Sequence, residues 1–172
     1  IVCVGRNYAE HARELGNAVP DEPLLFMKPA SAICSFAPGF SIPENCGDCH
    51  VETEIALYIG EIIDATTEEP LRAISAVGIA LDLTLRDLQN TLKSKGHPWE
   101  KAKAFDGSCA LTSFIAATRV DDWKDLELEL VRNGSRQQHG SSAQMLVGVS
   151  ALLSYIASWF TLYPGDLVLT GT

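Results

Sequence analysis

The chain has 172 residues, 47% of them hydrophobic and 20% charged, which is enough for one domain with a real core and too apolar for disorder. A formal net charge of −9 argues against nucleic acid, which asks for clustered Lys and Arg, and no apolar run approaches the length of a membrane span. An acidic protein that handles an anionic substrate must concentrate positive charge at its site, and a bound metal ion would do that.

In chain order, Ile1 to Val4 reads as a short strand entering the turn Gly5-Arg6-Asn7. Asn7 with Glu10 three residues on forms a capping-box pattern, and the helix it opens stops at Gly16. A Pro-punctuated stretch from Pro20 to Pro43 carries a strand-like Leu24 to Met27. Val51 to Ile63 is a long strand, broken near Gly60; Leu71 to Ala76 is a short helix and Val77 to Leu83 a buried apolar strand. Thr84 with Asp87 starts a helix that Gly96 ends, and Phe114 to Arg119 is strand-like. Leu126 to Val131 alternates strictly into Asn133-Gly134, a strong hairpin signal. Ser150 to Trp159 is an amphipathic helix and Leu167 to Leu169 the last strand. Short strands, few helices and no βαβ rhythm point to a mixed, mainly β architecture in one domain over residues 1–172. The sequence starts without methionine and stops straight after an apolar run, so it reads as a piece of a longer chain, cut chiefly at its C-terminal end. Five irregularly spaced cysteines read as reduced thiols of a cytoplasmic protein.

Two Glu-x-Glu segments invite comparison. In Leu126 to Leu130 the glutamates alternate with leucines, as on a half-buried strand with a wet face. Glu52-Thr53-Glu54 instead runs into Ile55-Ala56-Leu57-Tyr58-Ile59, apolar on both faces, so its carboxylates are expected to be covered. Two residues apart, they point the same way with Cβ atoms about 7 Å apart. Bare buried anions cost several kcal/mol each, so the pair must share a proton, meet an arginine or bind a cation. Oxygen-only ligands favour Mg²⁺, Mn²⁺ or Ca²⁺ over zinc. Asp82, at the end of an apolar strand, is a candidate third ligand, with helix capping as its plainer role.

Five segments in order carry a resemblance: Gly5-Arg6-Asn7-Tyr8-x-x-His11-x-x-Glu14, His50-x-Glu52-x-Glu54, Asp82-x-Thr84-x-Arg86-Asp87-x-Gln89, Ala102-Lys103-x-Phe105, and Pro164-Gly165-Asp166-x-x-Leu169-Thr170-Gly171-Thr172. Together they resemble the fumarylacetoacetate hydrolase family, in particular its small acylpyruvate hydrolase-like members. The resemblance implies an α+β, mainly β fold, a mixed β-sandwich roll with a few short peripheral helices. It also implies Mg²⁺ or Mn²⁺ on Glu52, Glu54 and Asp82, with Ca²⁺ as a non-productive occupant, and a homodimer. A further N-terminal aspartate ligand of larger relatives has no counterpart in Cys3-Val4-Gly5.

His11 and Glu14, three apart on a helix, share a face. Spacing alone suits a surface ion pair, while the resemblance implies a water-activating dyad on a lid. Arg86 and Gln89 follow Asp82 toward the metal side, as a carboxylate clamp or as a plain polar helix face. Lys103, in an apolar frame, suits charge stabilisation of an oxyanion or enolate. Arg6 and Lys28 are weaker anion-binding candidates, and Thr170 and Thr172 could offer donors to substrate. Cys46-Gly47-Asp48-Cys49-His50 fits a haem-attachment pattern, but covalent haem needs an exported setting and no leader is visible; His97 and His139 read as loop residues.

The expected activity is metal-dependent hydrolysis of a carbon–carbon bond in a ketonic substrate, an acylpyruvate of the fumarylpyruvate or acetylpyruvate type, giving pyruvate and a carboxylic acid. The nearest rival uses the same grip on a small 2-oxo or 2,4-dioxo acid without an attacking water: oxaloacetate decarboxylation or keto–enol tautomerisation. A rival of another class is a non-catalytic metal- or haem-binding module.

Overall fold

The structure is a computed structural model that describes residues 1–14, 16 and 18–172, with the side chains of all of these except His11, Ala12 and Glu14. The main sheet combines β1 (Val2–Gly5), β2 (Leu24–Met27), β3 (Ile33–Ser35), β4 (Cys49–Ile59), β5 (Ile74–Leu85), β6 (Cys109–Leu111), β7 (Ile115–Ala116) and β10 (Leu167–Leu169). Its order is β2-β1-β10-β4-β5-β6-β3, with β7 added to β5. The β1–β10 and β3–β6 pairs are parallel and the rest antiparallel, so the sheet is mixed. β8 (Glu127–Arg132) and β9 (Ser135–Ser141) form a separate hairpin. Its turn residues Asn133 and Gly134 have φ of 53° and 77°, the doubly positive geometry of a type I′ turn. The helices α1 (Ala9–Glu14), α2 (Arg86–Ser94), α3 (Glu100–Lys103) and α4 (Val149–Ala157) are short and peripheral. None is long and apolar enough to cross a membrane. The mainly β, α+β expectation holds.

Period-two alternation explains the two faces of β4. Ile55, Leu57 and Ile59 point to the main core, where α4 supplies Val149, Leu152, Leu153 and Ile156 at the spacing of one helix face. Each such fully buried side chain contributes about 1.5–3 kcal/mol. Glu52, Glu54 and Ala56 point the other way and are buried, and the cover ends at Tyr58, which is exposed. Glu127 and Glu129 are exposed, as the wet-strand reading expects.

Several local expectations give way to tertiary structure. Asn7 is not a helix cap: its amide donates to the carbonyls of Val147 and Thr170 and its Oδ1 accepts from the Val147 N–H, tying three segments together. Leu71 to Ala76 is not a helix; a 3₁₀ turn at Pro70–Ala73 leads straight into β5. β5 runs on to Leu85, so Thr84 and Asp82 are strand residues and α2 starts only at Arg86. Phe114 to Arg119 holds a two-residue strand and a 3₁₀ turn. His139 is in β9 rather than a loop.

Candidate metal and substrate site

β4 and β5 pair antiparallel with Glu52 directly opposite Asp82. That register, with the two-residue step from Glu52 to Glu54, brings one oxygen from each acid within 4.8 Å of the others. All three carboxylates are buried. Close like charges in a low dielectric need compensation, and most of it comes from cations delivered by other elements. Lys103, at the end of α3, places Nζ 2.6 Å from both Glu52 Oε2 and Asp82 Oδ2. Lys28, just past β2, lies 2.8 Å from Asp82 Oδ1 without hydrogen-bond alignment, and donates to Ser108 and to the Lys103 carbonyl. Arg86, in the first turn of α2, pairs with Glu52 Oε1 and donates to His50 Nδ1 and Gln89 Oε1. Thr84 Oγ1 donates to Glu52 Oε2 at 3.2 Å.

Glu54 stands apart. Among the described residues it makes no ion pair, and its named hydrogen bond comes from the Gly171 N–H at 2.7 Å. Burial, and then the Asp82 charge, push its carboxyl well above the usual range. Burial pulls the Lys103 ammonium down, but Asp82 and Glu52 outweigh it and leave the group more firmly protonated than an ordinary lysine.

The cleft beside these acids has a volume of about 40 Å³, room for an ion and a water or two. Arg6, Phe26, Arg86, Gln89, Lys93, Trp99 and Thr172 line it with the two glutamates. With Lys28, five cationic side chains and three carboxylates gather here among the described residues. The donor set fits a hard divalent cation. Asp82 Oδ2 keeps a second lone pair beyond its lysine contact, and among the described residues Glu54 has no counter-charge in contact.

The structure therefore gathers Glu52, Glu54, Asp82, Arg86, Gln89, Lys103, Arg6 and Thr172 in one place. Thr170 does not line the cleft: it is buried and its hydroxyl donates to the Ile55 carbonyl. The proposed dyad of His11 and Glu14 lies outside the described residues as far as side chains go. In the haem-like segment all the cysteines are free and His50 is engaged by Arg86. Lys28 is the residue that spacing arguments undervalued; the one signal was a lone basic residue within an otherwise uncharged-or-acidic stretch from Pro20 to Pro43.

Comparison with known proteins identifies the family. Oxaloacetate tautomerase YcgM of Escherichia coli K12 is 49% identical over 174 residues, covering 100% of this chain and 80% of that protein. A crystal structure from Oleispira antarctica, given provisionally as a fumarylacetoacetate isomerase/hydrolase, superposes with a TM-score of 0.96 at 50% identity, covering 99% of this chain and 78% of that one. The fumarylpyruvate hydrolase of Pseudomonas aeruginosa, solved with Mn²⁺ and pyruvate, has a TM-score of 0.89 at 36% identity and covers 99% of this chain and 76% of that one. The family model for the C-terminal domain of fumarylacetoacetate hydrolase matches residues 1–172, and the chain belongs to that family.

Proposed function

We propose that this chain is a divalent-cation-dependent enzyme that interconverts the enol and keto forms of oxaloacetate. The observation that carries the reading is the covered Glu52–Glu54–Asp82 cluster, with Lys103 between two of its members, in a chain so similar to an oxaloacetate tautomerase. This displaces acylpyruvate hydrolysis as the first reading, because the named hydrolase structure is less similar.

Glu52, Glu54 and Asp82 would hold the cation, Mg²⁺ or Mn²⁺, which supplies Lewis-acid polarisation of a 2-oxo acid. The chain's own residues account for the rest. Arg86 presents a planar fork at the cleft and meets a carboxylate bidentately once it releases Glu52, with Gln89 as its neighbour. Lys103 stays charged and steadies negative charge on the substrate's C2 oxygen as the C3 proton leaves. His11, with Glu14 fixing its tautomer, is the proposed proton carrier. Phe26 and Trp99 restrict water on one side. The arginine and lysine side chains gathered at the cleft suit a dianionic substrate. A homodimeric, cytoplasmic enzyme remains part of this reading.

The test is a panel of oxaloacetate, acetylpyruvate and fumarylpyruvate with Mg²⁺ or Mn²⁺, following loss of enol absorbance separately from pyruvate release. Ketonisation of oxaloacetate should have the largest kcat/KM and vanish in EDTA. Faster cleavage of an acylpyruvate would reinstate hydrolysis, and full activity in EDTA would contradict the metal. Hydrolysis is the second reading, supported by the likeness to the Pseudomonas enzyme. Under it, His11→Ala should collapse acylpyruvate cleavage for want of a base to activate water, while any oxaloacetate decarboxylation survives in good part.

A further inference from the structure

Beside the metal cleft lies a second cavity of about 230 Å³, beneath the β8–β9 hairpin. Thr172 lines both spaces. The metal cleft alone is too small for a four-carbon acid together with an ion. The second cavity offers the remaining room.

Its polar walls include two side-chain amides whose oxygens are engaged. The Gln138 Oε1 accepts from the Thr53 N–H at 3.1 Å and from the Thr53 hydroxyl. The Gln144 Oε1 accepts from the Ser141 N–H at 3.2 Å. A backbone N–H can only donate, so both amide oxygens are fixed at those contacts and both NH₂ groups remain available. Tyr8 also lines the cavity: its hydroxyl is buried in the wall, out of reach of water, and has no hydrogen-bond partner among the described residues, so a ligand would engage it only by a local shift of that wall. Burial, and then the Glu54 charge, push that hydroxyl up to about 12, so it stays a donor near neutrality. The Gly140 backbone packs close to the Tyr8 ring, and a Cβ there would lie 3.9 Å from Cε1. Glu10, the one carboxylate on the wall among the described residues, is exposed and screened by water. The amide groups of Gln138 and Gln144 suit a ligand end that only accepts, and an ionised carboxylate is such an end.

We propose that this cavity is the subsite for the distal carboxylate of a 2-oxo dicarboxylate, and that Tyr8 is the residue that sets the preference for such a substrate over a monocarboxylate. The inference deepens the oxaloacetate reading and rests on it. The Tyr8 O–H and the amides of Gln138 and Gln144 hold the far end, while the near end sits among Arg86, Gln89 and Lys103.

The experiment compares wild type, Tyr8→Phe and Gln138→Glu, all saturated with Mg²⁺. Tyr8→Phe removes a hydroxyl without a partner among the described residues, so its melting temperature should equal or exceed that of wild type. Its KM for oxaloacetate should rise roughly tenfold with kcat within about twofold. Gln138→Glu keeps an acceptor for Thr53 but replaces a donor with a negative charge, and should raise KM further. Calorimetry supplies the second readout, with 3,3-difluoro-oxaloacetate, which cannot enolise, and oxalate, which lacks a distal group. Both variants should bind the difluoro compound about tenfold more weakly and oxalate as wild type does. Equal weakening of both ligands, or no weakening of either, overturns the subsite. Wild type that fails to turn over oxaloacetate, yet shows the Tyr8-dependent difference between the two ligands, would retire the reaction and keep the subsite.

Discussion

Replacing Lys103 by methionine keeps the length of the side chain and removes its charge from between two acids. The Lys103 side chain is 5% exposed and reaches Glu52 and Asp82 at 2.6 Å each, with the ammonium 5.0 Å from the centre of the Phe26 ring. Removing one partner from a buried ion pair typically costs about 3–5 kcal/mol. Lys28 still faces Asp82 and Arg86 still faces Glu52, so the low end applies, about 3 kcal/mol. In a chain of this size that corresponds to a melting temperature lower by roughly 6–12 °C. A divalent cation at the same three acids supplies the missing positive charge, so the deficit should shrink to about 1 kcal/mol in saturating Mg²⁺. Urea or thermal unfolding of wild type and variant, each in EDTA and in Mg²⁺, reads all four values. A deficit that is the same with and without the cation would refute the reasoning, since the lysine and the metal would then not be compensating the same charges. No deficit in EDTA would show that Lys103 is not holding the cluster together.

Glu54 makes stability and metal affinity depend on pH in opposite directions. Its folded pKa is raised above the ordinary 4.5, so in the cation-free protein its contribution is full below that value and is lost as pH climbs through the raised one. A cation favours the ionised form, so Mg²⁺ affinity should rise with pH across that window. Binding should release a proton, measurable as a buffer-dependent calorimetric heat; an affinity flat from about pH 5 to 8 would contradict this. Gly171 has φ of 93°, and a Cβ there would stand 2.6 Å from Asn7 Cβ and 3.1 Å from the Val4 carbonyl. Gly171→Ala should therefore destabilise by about 2–4 kcal/mol and weaken Mg²⁺ binding by displacing the N–H that holds Glu54. A variant with wild-type unfolding and metal affinity would show that the close approach is not needed.

What was legible in the sequence followed the period of the local structure. Glu52 and Glu54 could be placed on a covered face because the apolar run after them continues on both sides of the strand. The Asn133-Gly134 turn fixed the hairpin because few other residues tolerate its backbone angles. Asp82 was recognisable as a ligand candidate, although its position opposite Glu52 depends on a β4–β5 register that no local pattern encodes. Asn7 shows the opposite case. The same side chain and spacing serve a helix cap or a cross-link between loops, and Val147 and Thr170, far away in sequence, decide for the second. Lys28 follows a strand whose neighbouring Met27 is exposed, and only the folded sheet brings it against Asp82. β3 and β6 are three residues each, too short to register as periodic, and they exist by pairing, β6 antiparallel with β5 and β3 in parallel with β6.

The most direct test is diffraction from crystals grown with Mn²⁺, recorded at a wavelength where manganese scatters anomalously. A single anomalous peak with oxygens of Glu52, Glu54 and Asp82 at about 2.0–2.3 Å would bear the account out. A map with no peak there, and Lys103 still bridging Glu52 and Asp82 in saturating Mn²⁺, would contradict it.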